Sequence, residues 1–221
     1  MEFMDNGVEK VKPVANTISI REVYEKGSQL KRPEYRIAYY MIYLTGGRVS
    51  EVTQLRVRDI EYVHDRDNRL IAIFSLITEK RKDHPTRMIP VIYYDPTLPD
   101  DCENNYEYEN KMIRSIIAFT KPMLIEEKIF RIPKYNKLTN YFRRNIVLKV
   151  DGIFKGKVVK GLIYKMHPHY LRHCRITHMR KLYGFDAIDL KQFAGWTSTK
   201  MTDIYLHLGY KNLVEKMVKY G

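Results

Sequence analysis

The sequence predicts an α+β fold that is mostly α, a helical domain with a small antiparallel β-sheet. Three observations predict it. Apolar residues recur at helical spacing through most of the chain, glycines and prolines punctuate those stretches, and two apolar runs, Leu70–Thr78 and Arg87–Tyr93, bracket a short charged turn. Taken in order, residues 1–16 have little pattern and read as a tail, leaving 17–221 as one domain. Residues 17–27 form a capping lead into a helix that ends near Gly27. Pro33 opens the next helix at its first turn, where a missing N–H costs nothing, and Thr45-Gly46-Gly47 stops it. A short helix follows, with Val49, Val52 and Leu55 on one face. The strands 70–78 and 87–93 then make a hairpin whose tip, EKRKDHPT, is strongly cationic, with Pro90 tolerated near an edge.

Residues 95–101 read as a loop, 106–120 as a helix broken before Pro122, and 136–149 as another helix, with Leu138, Tyr141, Phe142 and Ile146 at helical spacing. The Gly/Lys-rich stretch Asp151–Gly161 reads as a loop. Four helices are expected after it, at 168–183, 186–194, 199–207 and 211–219, punctuated by Gly184, Gly195 and Gly209. No internal repeat or low-complexity segment interrupts this order.

Composition narrows the function. The chain has 221 residues, 44% hydrophobic and 29% charged, enough to bury a core without disulfide or metal staples. Its longest apolar run, Ile37–Leu44, is far short of the ~20 residues a membrane span needs, so no membrane partner is expected. The N-terminus lacks a secretory signal, and Cys102 and Cys174 have no zinc spacing, which together point to a cytoplasmic setting. Charge is the more telling quantity. Lys and Arg number 39 against 26 Asp and Glu, a net charge of +13 spread along the chain, which favours a polyanionic partner such as double-stranded DNA.

Three segments concentrate groups suited to phosphate chemistry. In HPHYLRHCRITHMRK, Pro168 can start a helix with His169 and Arg172 three residues apart on one face, a cationic grip near a helix N-terminus, and Arg175 is three further on. TGGRVSEVTQL places Arg48 just after a Gly-Gly break, with Glu51 one turn on. FAGWTSTKMTDIYLHL places Trp196 nine residues before Tyr205. A basic helix face is ordinarily just solvated, a lone Trp is ordinarily core, and His167-x-His169 has no evident third ligand for a metal. The order of the segments is what sets them apart.

That order resembles the catalytic domain of the tyrosine recombinase (phage-integrase-like) family over about residues 17–219. TGGRVSEVTQL resembles the first arginine motif, HPHYLRHCRITHM the His-x-x-Arg motif, FAGWTSTKMTDIYLHL the segment that holds the nucleophilic tyrosine, and FRIPKYNKLTNYFRRN the connecting helix. The resemblance implies DNA strand cleavage and rejoining by a site-specific recombinase or integrase. Arg48 and Arg172 would hold the non-bridging oxygens, Tyr205 would attack phosphorus to give a 3′-phosphotyrosine, and His169 would serve as its base. Lys80 or Lys82, from the hairpin tip, would protonate the leaving 5′-oxygen, with Lys80 the better-held backbone. Trp196 would donate to a phosphate oxygen, and Glu51 would orient the cations. No metal, ATP or other cofactor is implied. The family assembles as a tetramer on paired DNA sites, and 211–219 would dock on a neighbouring protomer or pack on its own domain. Two departures stand out. Trp196 occupies a position that is usually His, and the family's N-terminal clamp domain is not among residues 1–16. The Ile/Tyr/Lys-rich composition points to an archaeal or archaeal-virus type. A type IB topoisomerase-like nicking-closing enzyme and a non-catalytic DNA-binding fragment are the competing readings.

Overall fold

The computed structural model describes residues 12–13, 17–78, 85–94, 105–132, 135–154 and 157–202. Of the helices predicted at 199–207 and 211–219, only Thr199–Thr202 is described, as a short 3-10 turn; the rest, with Tyr205, lies outside the described residues, as do Lys80 and Lys82.

The first helix, α1 (Ile20–Ser28), starts on a reciprocal capping box. The Glu22 N–H donates to the Ser19 hydroxyl at 3.2 Å and the Ser19 N–H donates to the Glu22 carboxylate at 2.9 Å, satisfying two orphan donors of the first turn. Pro33 stands at the first turn of α2 (Pro33–Thr45), as its fixed φ dictates. Every residue of α2 from Ile37 to Thr45 is buried, because the helix is the axis of the domain, packed by α1, α4 (Asn105–Thr120) and α6 (Pro168–Lys181). Its tyrosines Tyr39, Tyr40 and Tyr43 are core residues; the Tyr43 hydroxyl pairs with His178 Nδ1 at 2.8 Å, and the Tyr40 hydroxyl donates to the Tyr24 carbonyl at 3.3 Å. Residue Gly46 ends α2 at φ +57°, and α3 (Val49–Thr53) begins three residues later.

One sheet is antiparallel in the order β2 (Ile60–His64), β3 (Leu70–Ile77), β4 (Thr86–Tyr94). Strand β3 alternates, with Ala72, Phe74 and Leu76 fully buried, and it meets Ile89 and Val91 of β4 in the core. Full burial of each large apolar side chain contributes about 1.5–3 kcal/mol. Pro90 faces outward on edge strand β4, where no ladder donor is required of it. The Thr78 N–H donates to the Pro85 carbonyl at 3.0 Å, which closes the hairpin at its root and sets residues 79–84 as its tip.

The structure corrects two expectations. Asp151–Gly161 is no loop, and the helix predicted to 149 stops earlier. Helix α5 (Tyr135–Asn145) gives way to β5 (Val147–Phe154) and β6 (Lys157–Lys165), a second hairpin. The β-branched Val147, Val150, Ile153, Val158, Val159 and Ile163 favour extended backbone and lose χ1 freedom in a helix. A register shift between Val150 and Gly152 and a left-handed Gly161 (φ +71°) accommodate the glycines that suggested a loop. Lys12–Pro13, within the expected tail, add an edge strand (β1) to β5, so the fold carries two three-stranded sheets rather than one. Among the described residues no helix is long and apolar enough to cross a membrane.

Candidate active site

The chain places Arg48 at the mouth of a tight elbow. A Cβ on Gly47 would come within 2.8 Å of Val52 and 2.9 Å of the Thr45 hydroxyl, so only glycine lets the backbone turn from α2 into α3 at this radius. Arg48 is half-buried and caps α3. Its Nη1 donates to Glu51 Oε1 at 2.7 Å and its backbone N–H donates to Glu51 Oε2 at 2.9 Å. Glu51, one turn on as the sequence has it, is 3% exposed and is therefore a fixed brace for the cation.

Helix α6 delivers the second cation. His167 caps it, accepting from the Tyr170 N–H, and Pro168 fills its first turn. His169 stands exposed in that turn, its ring stacked 6.4 Å from that of His167. Arg172 is 3% exposed and runs inward. Its Nη1 donates to the Gly46 carbonyl, and its Nη2 donates to the Ala194 carbonyl at 2.7 Å. Gly46 is the C-cap of α2, and Ala194 is the last residue of α7 (Ala187–Ala194). Arg172 is thus seated on carbonyls at the C-terminal ends of two helices, where backbone partial charge is negative. Each carbonyl lies two residues before another predicted site residue, Arg48 in one case and Trp196 in the other. Trp196 is half-buried, 5.9 Å from the Arg172 guanidinium. The structure brings Arg48, Glu51, Arg172 and Trp196 together and leaves His169 exposed one turn before Arg172 on the same helix.

Arg175, three residues beyond Arg172, has a different place. It is 2% exposed, paired with Glu109 of α4, and ringed by Tyr43 at 5.3 Å and Tyr183 at 5.6 Å. Burial opposes its charge, but Glu109 more than compensates and raises the pKa above the ordinary arginine value. It is a structural cation. His167, His173 and His178 are held neutral, each pushed down to about 4, chiefly by burial. Among the described residues no group of three His, Cys, Asp or Glu side chains could hold a metal ion.

Sequence reasoning missed Arg87. It lies on β4, alternating with Ile89 and Val91 on the buried face, and its side chain is 8% exposed. Its Nη2 donates to Glu51 Oε2 at 2.6 Å and its Nη1 donates to the Phe193 carbonyl. The signal was present, since period-two counting from Ile89 puts residue 87 inside.

The root of the β3–β4 hairpin abuts this constellation. A Cβ on Gly195, which sits at φ +65°, would lie 3.3 Å from the Thr78 hydroxyl and 3.1 Å from Arg87 Cδ. The described root of the hairpin, at Thr78, therefore lies beside Gly195, the residue before Trp196; Lys80 and Lys82 lie outside the described residues, and Thr202 is the last described residue before Tyr205.

Comparison with known proteins gives this geometry a family. The chain is 25% identical over 176 residues to tyrosine recombinase XerC of Thermodesulfovibrio yellowstonii, covering 79% of this chain and 50% of that one. It is 27% identical over 183 residues to XerC of Oceanobacillus iheyensis, covering 81% and 50%. The chain spans about half the length of these curated relatives. Its fold is similar to that of XerA recombinase (TM-score 0.57, 20% identity, 95% of this chain and 65% of that one). It is also similar to the catalytic domain of bacteriophage HP1 integrase (TM-score 0.52, 18% identity, 91% and 90%). The sequence model described as the phage integrase family matches residues 20–212, and the chain belongs to that family.

Proposed function

We propose that this chain is the catalytic domain of a site-specific DNA recombinase that cuts and rejoins DNA through a 3′-phosphotyrosine. The observation that carries the reading is the seating of Arg172 on the Gly46 and Ala194 carbonyls, which joins the three segments that bear Arg48, Arg172 and Trp196. A phosphodiester repels nucleophiles by its own charge. Two guanidiniums held in place neutralise it and stabilise the charge that builds in the transition state, without reorganising when it forms. Tyr205 is the nucleophile in this reading, His169 its base, and the Trp196 indole N–H a donor to a non-bridging oxygen. The bond energy is kept in the phosphotyrosine, so rejoining needs no nucleotide. Double-stranded DNA is the substrate, and a tetramer on paired sites is the assembly. XerH recombinase, a protein of similar fold, has been solved in a post-cleavage complex with a palindromic difH substrate.

The test is covalent capture. The protein is incubated with nicked duplex and with supercoiled plasmid and denatured, and protease-sensitive DNA adducts are sought. A recombinase yields adducts and, with its own site, joined junctions. Relaxation of plasmid without any junction would favour a nicking-closing enzyme, and binding without adduct would make the chain a DNA-binding module.

The leaving 5′-oxygen needs a proton, and the hairpin tip can supply it. Lys80 stands two residues beyond Thr78, at most ~7 Å of extended chain, while Lys82 stands three before Pro85, at most ~11 Å. The shorter tether favours Lys80. A substrate with sulfur at the bridging 5′ position expels a thiolate, which needs no proton. It is expected to rescue cleavage by Lys80→Ala. Rescue of Lys82→Ala, with Lys80→Ala near wild type on normal DNA, would reverse the assignment.

A net charge of +13 makes phosphate contacts the main source of affinity. Each phosphate neutralised adds roughly 0.9 to the slope of log affinity against log salt. DNA binding is expected to be largely sequence-independent, with a slope of about −3 or steeper. Affinity that held constant from low to moderate salt would contradict this.

A further inference from the structure

Glu51 is shared. Its side chain is wholly buried, and two guanidiniums converge on its two oxygens. Arg48, from its own helix, takes Oε1, and Arg87, from β4, takes Oε2. One negative charge thus faces two positive ones, and the trio keeps a net positive charge. If Glu51 faced Arg48 alone, it would cancel the charge that is to act on phosphate. Arg87 takes part of the carboxylate's pull, and Arg48 keeps more of its own. The other end of the Arg87 fork is fixed to the Phe193 carbonyl, and its stem lies against Gly195, the residue before Trp196. Arg87 therefore ties three segments together: α3 with Arg48, the strand that returns from the lysine-bearing tip, and the end of α7 that leads into Trp196. Nothing in a stability argument requires an ion pair here, since a buried pair rarely outperforms apolar packing of the same volume.

We propose that Arg87 is a positioning residue for strand cleavage: it holds Glu51 ionised and in place against Arg48, and it locks the root of the hairpin to the Trp196 segment. The inference rests on the cleavage reaction proposed above. Burial pushes the Glu51 carboxyl up, but Arg87 and then Arg48 overcome it and hold the group below the usual carboxylate range. Arg48 and Arg87 are the charged groups that face it among the described residues. Arg172, on α6, is engaged by the Gly46 and Ala194 carbonyls.

Without Arg87, Glu51 takes up a proton at higher pH, and a neutral Glu51 no longer orients Arg48. The experiment compares wild type, Arg87→Met and Arg87→Lys in single-turnover covalent capture across pH, with DNA affinity and thermal melting measured on each. For Arg87→Met, cleavage at neutral pH is expected to fall by up to about 100-fold, the cost of misplacing a reacting group. Its acid limb is expected to move up by about one unit or more, with DNA affinity unchanged because the side chain is buried. Arg87→Lys restores a charge beside Glu51 without the fork, so its acid limb returns toward wild type while its rate stays low. A folded Arg87→Met with wild-type rate, or with a slow rate and an unmoved acid limb, would overturn the proposal. If Arg87→Met does not fold, Arg87→Lys decides: a rate equal to wild type removes any need for the fork. Carbon NMR of the Glu51 carboxyl in wild type and Arg87→Met gives a reading independent of turnover. Absence of any adduct from wild type would sink the cleavage reaction, whereas equal Glu51 titration in the two proteins would sink the role of Arg87.

Discussion

Tyr205→Phe is expected to abolish covalent attachment to DNA while leaving DNA affinity within about twofold of wild type, because one hydroxyl is removed and no phosphate-binding cation is touched. The phenolic oxygen is the atom that would become bonded to phosphorus, and nothing in a phenylalanine ring can replace it. The chain has 18 tyrosines, so the assignment is not trivial. Among those described, Tyr39, Tyr40, Tyr43, Tyr164 and Tyr170 are buried core residues. Burial pushes their phenols further from ionisation, the opposite of what a nucleophile needs. The measurement is a denaturing gel of protein incubated with nicked duplex, with and without protease. A protease-sensitive adduct formed by Tyr205→Phe would remove Tyr205 from the mechanism.

The second large effect concerns stability. Glu109→Ala is expected to destabilise the fold by about 3–5 kcal/mol, the penalty for stranding a buried charge. Glu109 and Arg175 are each 2% exposed, and Glu109 also accepts from the Tyr183 hydroxyl at 2.8 Å, so one deletion leaves two donors without their acceptor. Urea unfolding monitored by circular dichroism reads the loss. The double variant Glu109→Leu, Arg175→Met should recover most of it, because replacing both charges with apolar groups removes the desolvation cost along with the attraction. A single variant within about 1 kcal/mol of wild type would mean that water reaches the pair and that the site is not dry.

These two cases also show how far the sequence carried the argument. Helix α6 was legible because Pro168 and the His-x-x-Arg spacing act locally, and the hairpin around residues 79–84 because two apolar runs flank a charged turn. The part Arg175 plays was not legible, for a definite reason. Spacing along a helix tells which residues share a side, but not what covers that side, and here α4 covers it with Glu109. Arg87 was passed over because a charged residue at a strand end reads as solvated until its partner is known, and Glu51 lies 36 positions away. The β5–β6 hairpin was obscured by lysines and glycines interleaved with β-branched residues, a composition shared by loops and by extended ribbons. What the sequence did not supply for the two arginines was a contact between residues remote in the chain.

The seat of Arg172 has an evolutionary consequence. Two of the groups that accept from Arg172, at Gly46 and Ala194, are backbone carbonyls, which every residue type possesses. No side-chain substitution at 46 or 194 deletes an acceptor, so this half of the site is shielded from ordinary mutational drift. Vulnerability is displaced to the backbone turns that aim the carbonyls. Gly46 and Gly195 are both left-handed, and a Cβ on Gly46 would approach Phe193 to 2.8 Å. In a saturation library selected for strand cleavage, tolerance should therefore collapse at these two glycines while position 194 accepts other small residues. A lineage could thus alter much of the surface around the arginine and still inherit the arginine's aim.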